Sequence, residues 1–156
     1  MDLFTIITTI ISLTLSLISI GLSIYIAVVT YKVQQKDNYL SNVEKMCVNC
    51  LLVILAEIAK LENKLPLLDP SQVSDKIITN FNKLYFYVKD NNDKKNENLK
   101  KYILNDFQAL LLTTYNDYYE NQSIYEKNSS SRKIVFNRLI EVISTVKTKL
   151  GELYGK

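Results

Sequence analysis

Residues 3–31 read LFTIITTIISLTLSLISIGLSIYIAVVTY, a run of 29 residues without one charged side chain. At about 1.5 Å of rise per residue, such a run extends roughly 43 Å as a helix. A bilayer's hydrocarbon core is about 30 Å thick, so the segment is expected to cross a membrane with tilt or with one end projecting. A signal peptide would instead pair a basic leader with an apolar stretch of about 7–15 residues and a small-residue cleavage site. Here the leader carries Asp2, the run is too long, and no small-x-small site follows Ala27. All 19 Lys and Arg residues lie beyond Tyr31, with Lys32, Lys36 and Lys45 close behind it. The positive-inside rule therefore puts the N-terminus outside and everything after the span in the cytoplasm. Tyr25 and Tyr31 fall where an inner headgroup belt is expected.

The polar residues inside this run are not scattered. Thr5, Thr9, Ser12, Ser16, Ser19 and Ser23 alternate four and three residues apart; Ile26 breaks the rhythm and Thr30 resumes it. A four-three alternation is a heptad seam, so these hydroxyls are expected on one helix face. Ala27 and Gly21 are read as keeping that side small, and Thr8 and Thr14 as lying off it. In the plainer reading each hydroxyl bonds back to its own helix. In the sharper one the face meets other copies of the helix, because small hydroxyl residues permit close approach and bond across helices. Several copies would then line a narrow wet pore, with Lys32 and Lys36 at its cytoplasmic mouth. The expected partners are thus membrane lipid and further copies of the chain.

The remaining chain splits off at about residue 37, giving an anchor over 1–36 and a domain over 37–156. Only 3 Gly and 2 Pro occur in the whole sequence, which disfavours a strand-rich fold with its many turns. Four amphipathic stretches follow instead. The first covers residues 37–64, with Leu40, Val43, Cys47, Cys50, Ile54, Ile58 and Leu61 at helical spacing. Nothing in 32–37 breaks a helix, so it is expected to continue straight from the span. Pro66 and Pro70 interrupt, and Asp69 as N-cap, Pro70 at the first helical position and Gln72 completing a capping box make a helix-start signal. The second stripe is Val73, Ile77, Phe81, Leu84 and Val88. A polar loop, 89–98, leads to a third stripe of Leu99, Ile103, Phe107, Leu110, Leu111 and Tyr118. Ser129–Ser131 reads as a turn and N-cap before Val135, Leu139, Val142, Val146, Leu150 and Leu153, with Gly155 as the closing cap. The expected fold is all-α: one transmembrane helix followed by a cytoplasmic four-helix bundle.

Little here points to catalysis. Histidine is absent, which removes the commonest general base and metal ligand. Cys47 and Cys50 are the only cysteines, too few for a zinc site. They sit mid-helix on the apolar stripe rather than opening a helix after a strand, so buried core cysteines are expected rather than a redox pair. Asp106, Asp117, Glu120, Glu141 and Glu57 fall on helices with nothing to fix a carboxylate pair. There is no Gly-rich phosphate loop and no nucleophile motif. No enzymatic activity, metal or cofactor is expected. Beyond Tyr31 the chain carries 19 basic against 15 acidic side chains. That diffuse excess does not suit duplex DNA. Two basic clusters, Lys94, Lys95, Lys100 and Lys101 beside Tyr102, and Arg132, Lys133 and Arg138 after Tyr125 and Lys127, have the makings of a site for a nucleotide or a short single-stranded nucleic-acid signal. The plainer reading, which is the default, is a solvated surface whose field Asp90, Asp93 and Glu97 blunt.

The layout of one hydroxyl-striped span, Thr5 to Ser23, ahead of a charged helical domain resembles that of small bacterial membrane effectors in antiphage and abortive-infection systems, the Hailong-type channel subunit among them. The resemblance is of layout alone and transfers no residue role. It implies a cytoplasmic domain that senses a signal or is restrained by one, a regulatory protein included, and a span that breaches the inner membrane. A composition rich in Ile, Lys, Asn and Tyr suits an AT-rich bacterial or phage gene. The competing expectation is a membrane-tethered helical binding protein of the superinfection-exclusion or bacteriocin-immunity kind, in which the anchor only localises the domain.

Overall fold

A computed structural model describes residues 3–90 and 97–154. Among them the chain is all helical, without a strand: α1 (Leu3–Glu62), α2 (Pro70–Asp90), α3 (Glu97–Lys101), a π-helical stretch (Tyr102–Phe107), α4 (Gln108–Glu120), α5 (Gln122–Lys127) and α6 (Ser129–Tyr154). The sequence-predicted residues Lys94, Lys95 and Gly155 lie outside the described residues. The chain divides into two compact units, Met1–Tyr39 and Leu40–Lys156.

The first unit is helix throughout its described length, as a stretch without proline and with one interior glycine allows. Eighteen large apolar side chains between Phe4 and Val33 stand exposed on it. The helix is long and apolar enough to cross a membrane.

The second unit is bundle-like. The C-terminal part of α1 buries Leu40, Val43, Cys47, Cys50, Leu51, Ile54 and Ile58. It ends in a Schellman motif: Lys64 adopts φ 53° and the Leu65 N–H donates to the Lys60 carbonyl at 3.0 Å. α2 starts on Asp69, whose Oδ1 accepts from the Ser71 N–H (2.8 Å) and the Ser71 hydroxyl (2.7 Å). Those two bonds hold the Asp69 carboxyl below its usual range. The carboxylate thus reaches Ser71, while the Gln72 N–H bonds the Asp69 backbone carbonyl. α6 starts on Asn128, whose Oδ1 accepts from the Ser130 N–H at 3.0 Å. This corrects the expectation that the serine run caps itself: the amide one residue earlier reaches the free N–H first.

Four contacts set the helix directions. The Asn42 amide donates to the Tyr87 hydroxyl (3.2 Å) and the Leu68 N–H to Glu57 Oε2 (3.0 Å), so α2 runs back along α1. Phe81 stacks on Phe107, with ring centroids 6.5 Å apart, and Tyr115 donates to the Pro70 carbonyl (3.0 Å), so α4 runs back along α2. Lys147 pairs with Glu44 (3.0 Å) and Arg132 Nη1 donates to the Leu61 carbonyl (3.2 Å), so α6 is antiparallel to α1. Asn121 breaks the third helical segment, and the short α5 folds Tyr125 back until its hydroxyl is 3.4 Å from Asp117 Oδ2.

The π-helical stretch has a packing cause. Leu99, Ile103, Phe107 and Leu111 are all buried at intervals of four. Each four-residue step in an α-helix overshoots a full turn by about 40°, so three such steps would carry the stripe off the core. The wider π turn takes up that overshoot. It also aligns a second, exposed row containing Leu104, Leu112 and Tyr119.

Candidate functional site: the hydroxyl face of α1

On α1, Thr5, Thr9, Ser12, Ser16, Ser19 and Ser23 are all exposed. Thr8, Ile11, Ser12, Leu15, Ser16 and Ser19 line a shallow groove along one side of the helix. Two readings made from the sequence change here. Thr8 borders the hydroxyl face, since eleven residues separate it from Ser19 and three turns bring it within about 20°. Gly21 lies nine residues from Ser12, about two and a half turns, and so stands on the far side, where a Cβ would meet nothing within 4 Å. Thr14 is likewise nine residues from Ser23 and lies opposite the face.

The hydroxyls differ in how they are satisfied. Thr8 donates to the Phe4 and Thr5 carbonyls (3.0 and 3.1 Å), and Thr14 to those of Ile10 and Ile11 (2.8 and 2.9 Å). Thr9 bonds Thr5 (2.7 Å) and Ser23 bonds Ser19 (2.9 Å). Ser12, Ser16 and Ser19, the central three, make no such bond back to their own helix. The plain reading of the stripe thus describes Thr9 and Ser23 but not Ser12, Ser16 and Ser19. Lys32 and Lys36 stand exposed on the same helix, and Tyr31 accepts a 2.6 Å bond from Gln35.

Among the described residues of the two basic clusters, Lys100 and Lys101 are not brought together with Arg132 and Lys133. Tyr87 sets the end of α2 beside Asn42, and α3, with Lys100 and Lys101, packs against α2 and α6. Arg132 reaches Leu61 instead. Nineteen residues of α1 separate Asn42 from Leu61, about 28 Å of helix. Tyr102 is 8 % exposed and Tyr125 5 % exposed, so neither offers a ring face for stacking a base. Burial, with Cys47 and Asp106 nearby, pushes the Tyr102 hydroxyl up to about 12. Arg132 caps the Leu61 carbonyl in the last turn of α1, a job for a cation at a helix end. Lys133 is exposed beside it.

Cys47 and Cys50 are fully buried free thiols. Desolvation raises both, Cys50 to about 12, which suppresses the thiolate that redox or metal chemistry needs. Glu57 is a buried charge that the sequence placed only near the apolar stripe: it is 2 % exposed, pairs with Lys60 at 2.7 Å and accepts the Leu68 N–H. Its i, i+3 lysine and the Leu–Leu linker that follows are the only cues the sequence held. Among the described residues no group of three or more Asp, Glu or Cys is arranged to hold a metal. Compared with family models, curated proteins and solved structures, the chain matches none.

Proposed function

We propose that the protein is an oligomeric membrane effector, in which the hydroxyl faces of several copies of α1 line a gated ion-conducting pore and the helical domain controls it. The observation that carries this is the middle of the span. Ser12, Ser16 and Ser19 make no hydrogen bond through their hydroxyls, on a helix whose other faces are mainly Ile and Leu. Thr14, on the opposite face, bonds its own backbone, as Thr9 and Ser23 do on the hydroxyl face; hydroxyls that keep that capacity free suit a neighbouring helix or water. Exposed Ile and Leu side chains elsewhere around residues 4–33 suit lipid, since contiguous apolar patches beyond a few hundred Å2 are rare on soluble monomers.

In this reading the domain is a cytoplasmic four-helix bundle at the inner membrane of a bacterium, the N-terminus faces outward, and the setting is antiphage defence. Neutral hydroxyls along the lumen and rings of Lys32 and Lys36 at the mouth give weak anion preference. The pore opens without catalysis or cofactor, and a signal reaches it through the domain, either as an anionic ligand at Lys100 and Lys101 or as a regulatory protein. Light scattering of the detergent-solubilised protein tests the central requirement. More than one copy per micelle is expected. A monomer at every concentration would leave the tethered-binder reading in its place.

A further inference from the structure

We propose that the π-helical stretch Tyr102–Phe107 is a register switch, in which α3 and the residues after it turn by one residue's worth and join α4 as an unbroken α-helix. This inference stands whether or not the first unit forms a pore. In the observed register the seam facing the core is Leu99, Ile103 and Phe107. Removing the wide turn rotates everything before it by about 100° relative to α4. Leu104 then takes the place of Ile103, and Lys100 that of Leu99.

Three features fit a segment with two seats. Leu104 is apolar yet 40 % exposed, one position round from the buried seam, so a second apolar residue is already in line to fill it. Lys100 is half-buried and carries a long stem that can lie along an apolar surface while its charge stays in water. α3 is five residues long, so only a short element must turn. The cost of turning falls on Leu99 and Tyr102, which leave the core. The observed register is therefore the resting one. Helix register shifts of this kind have two discrete packings rather than a continuum, and π turns concentrate where helices do such work. Turning α3 re-aims Lys100 and Lys101 together, which links the surface charge of this end of the domain to the packing of Tyr102 against α1.

The test uses the full chain with Cys47→Ala and Cys50→Ala, carrying single cysteines at Leu99→Cys, Leu104→Cys or Leu84→Cys, and maleimide labelling under native conditions. Leu104→Cys should label at once. Leu99→Cys should label about tenfold or more faster than Leu84→Cys, because its exposure needs a local shift rather than global opening. Deleting Asn105, an exposed residue of the stretch, removes the extra residue and should slow Leu99→Cys to the rate of Leu84→Cys. Hydrogen exchange separates the shift from fraying without any deletion. In a shift the Lys101 amide, four residues after Glu97 within α3, stays bonded, so its protection should exceed thiol protection at Leu99→Cys. Equal labelling of Leu99→Cys and Leu84→Cys, or amide protection no higher than thiol protection, would overturn the proposal.

Discussion

Single hydroxyls carry the account at the residue scale. Ser12, Ser16 and Ser19 sit near the middle of the uncharged run, and Thr14 lies on the opposite face with its hydroxyl already bonded. Replacing the three serines by Leu keeps the helix hydrophobic, so insertion should persist or improve. The bulkier chains hold helices apart and dry any lumen. Expression of a pore-forming chain is expected to be toxic; in the triple mutant membrane localisation on a flotation gradient should be unchanged while that toxicity disappears, and Thr14→Leu should leave both as they are. Persistent toxicity in the triple mutant would remove the stripe from the mechanism. Buried acids of the second unit give a pH signature. Cys47, Cys50, Tyr102 and Tyr118 all hold their protons more tightly when folded, the last three up to about 12 against ordinary values of 9.0 for a thiol and 10.0 for a phenol. Above 9.0 the unfolded chain sheds protons that the folded chain keeps, so stability falls as pH rises. The urea midpoint should be flat at neutral pH and drop between about 9 and 12. With Cys47→Ala and Cys50→Ala the drop should begin nearer about 10, where only the tyrosines remain, and stability at neutral pH should fall by roughly 1–3 kcal/mol of packing while toxicity persists. Loss of toxicity in the folded double mutant would give the thiols a chemical role.

Elements are held by their ends. Lys64 takes a left-handed conformation at the close of α1, a place where a non-glycine residue costs roughly 1–2 kcal/mol. Lys64→Gly should therefore raise unfolding stability by about 1 kcal/mol, and a loss of stability would mean the motif is not populated. The sequence made the helices legible because each buried face repeats at three or four residues: the sequence-predicted faces Leu40 to Ile58, Val73 to Val88 (Phe81 half-buried) and Val135 to Leu150 (Val142 half-buried) are otherwise buried where the spacing put them. It hid what depends on choice among like neighbours. Lys64 looks like any surface lysine until Pro66 forces the chain to turn before it. Asn128 and three serines are all competent caps, and only the backbone decides between them. Leu99, Ile103, Phe107 and Leu111 fit a four-residue repeat as well as a helical one, and their burial reveals the π turn. Tyr102 and Tyr125 beside lysines read as exposed, yet an apolar ring one position from the seam packs inward.

At the scale of the whole molecule, charge sets the proposed topology and the span the proposed function. With every Lys and Arg after Tyr31, alkaline phosphatase fused after Lys156 should be inactive and a cytoplasmic reporter at the same point active. Phosphatase activity would invert the orientation. The hydroxyl rhythm from Thr5 to Ser23 was legible in sequence, because a heptad survives translation into a helix face almost unchanged. Its division into self-bonded and unbonded members was not, since a serine's rotamer is no property of spacing. Nor was the separation of the two basic clusters, because Lys100 and Arg132 fall at ends of the domain that only the antiparallel course of α6 sets apart. The proposed pore requires that the spans assemble and conduct. Purified full-length protein in planar bilayers should give discrete current steps with a reversal potential shifted weakly toward that of the anion, and Lys32→Glu with Lys36→Glu should shift it toward the cation. Silence of the wild type at all protein densities and voltages, in membranes where its insertion is verified, would contradict the pore.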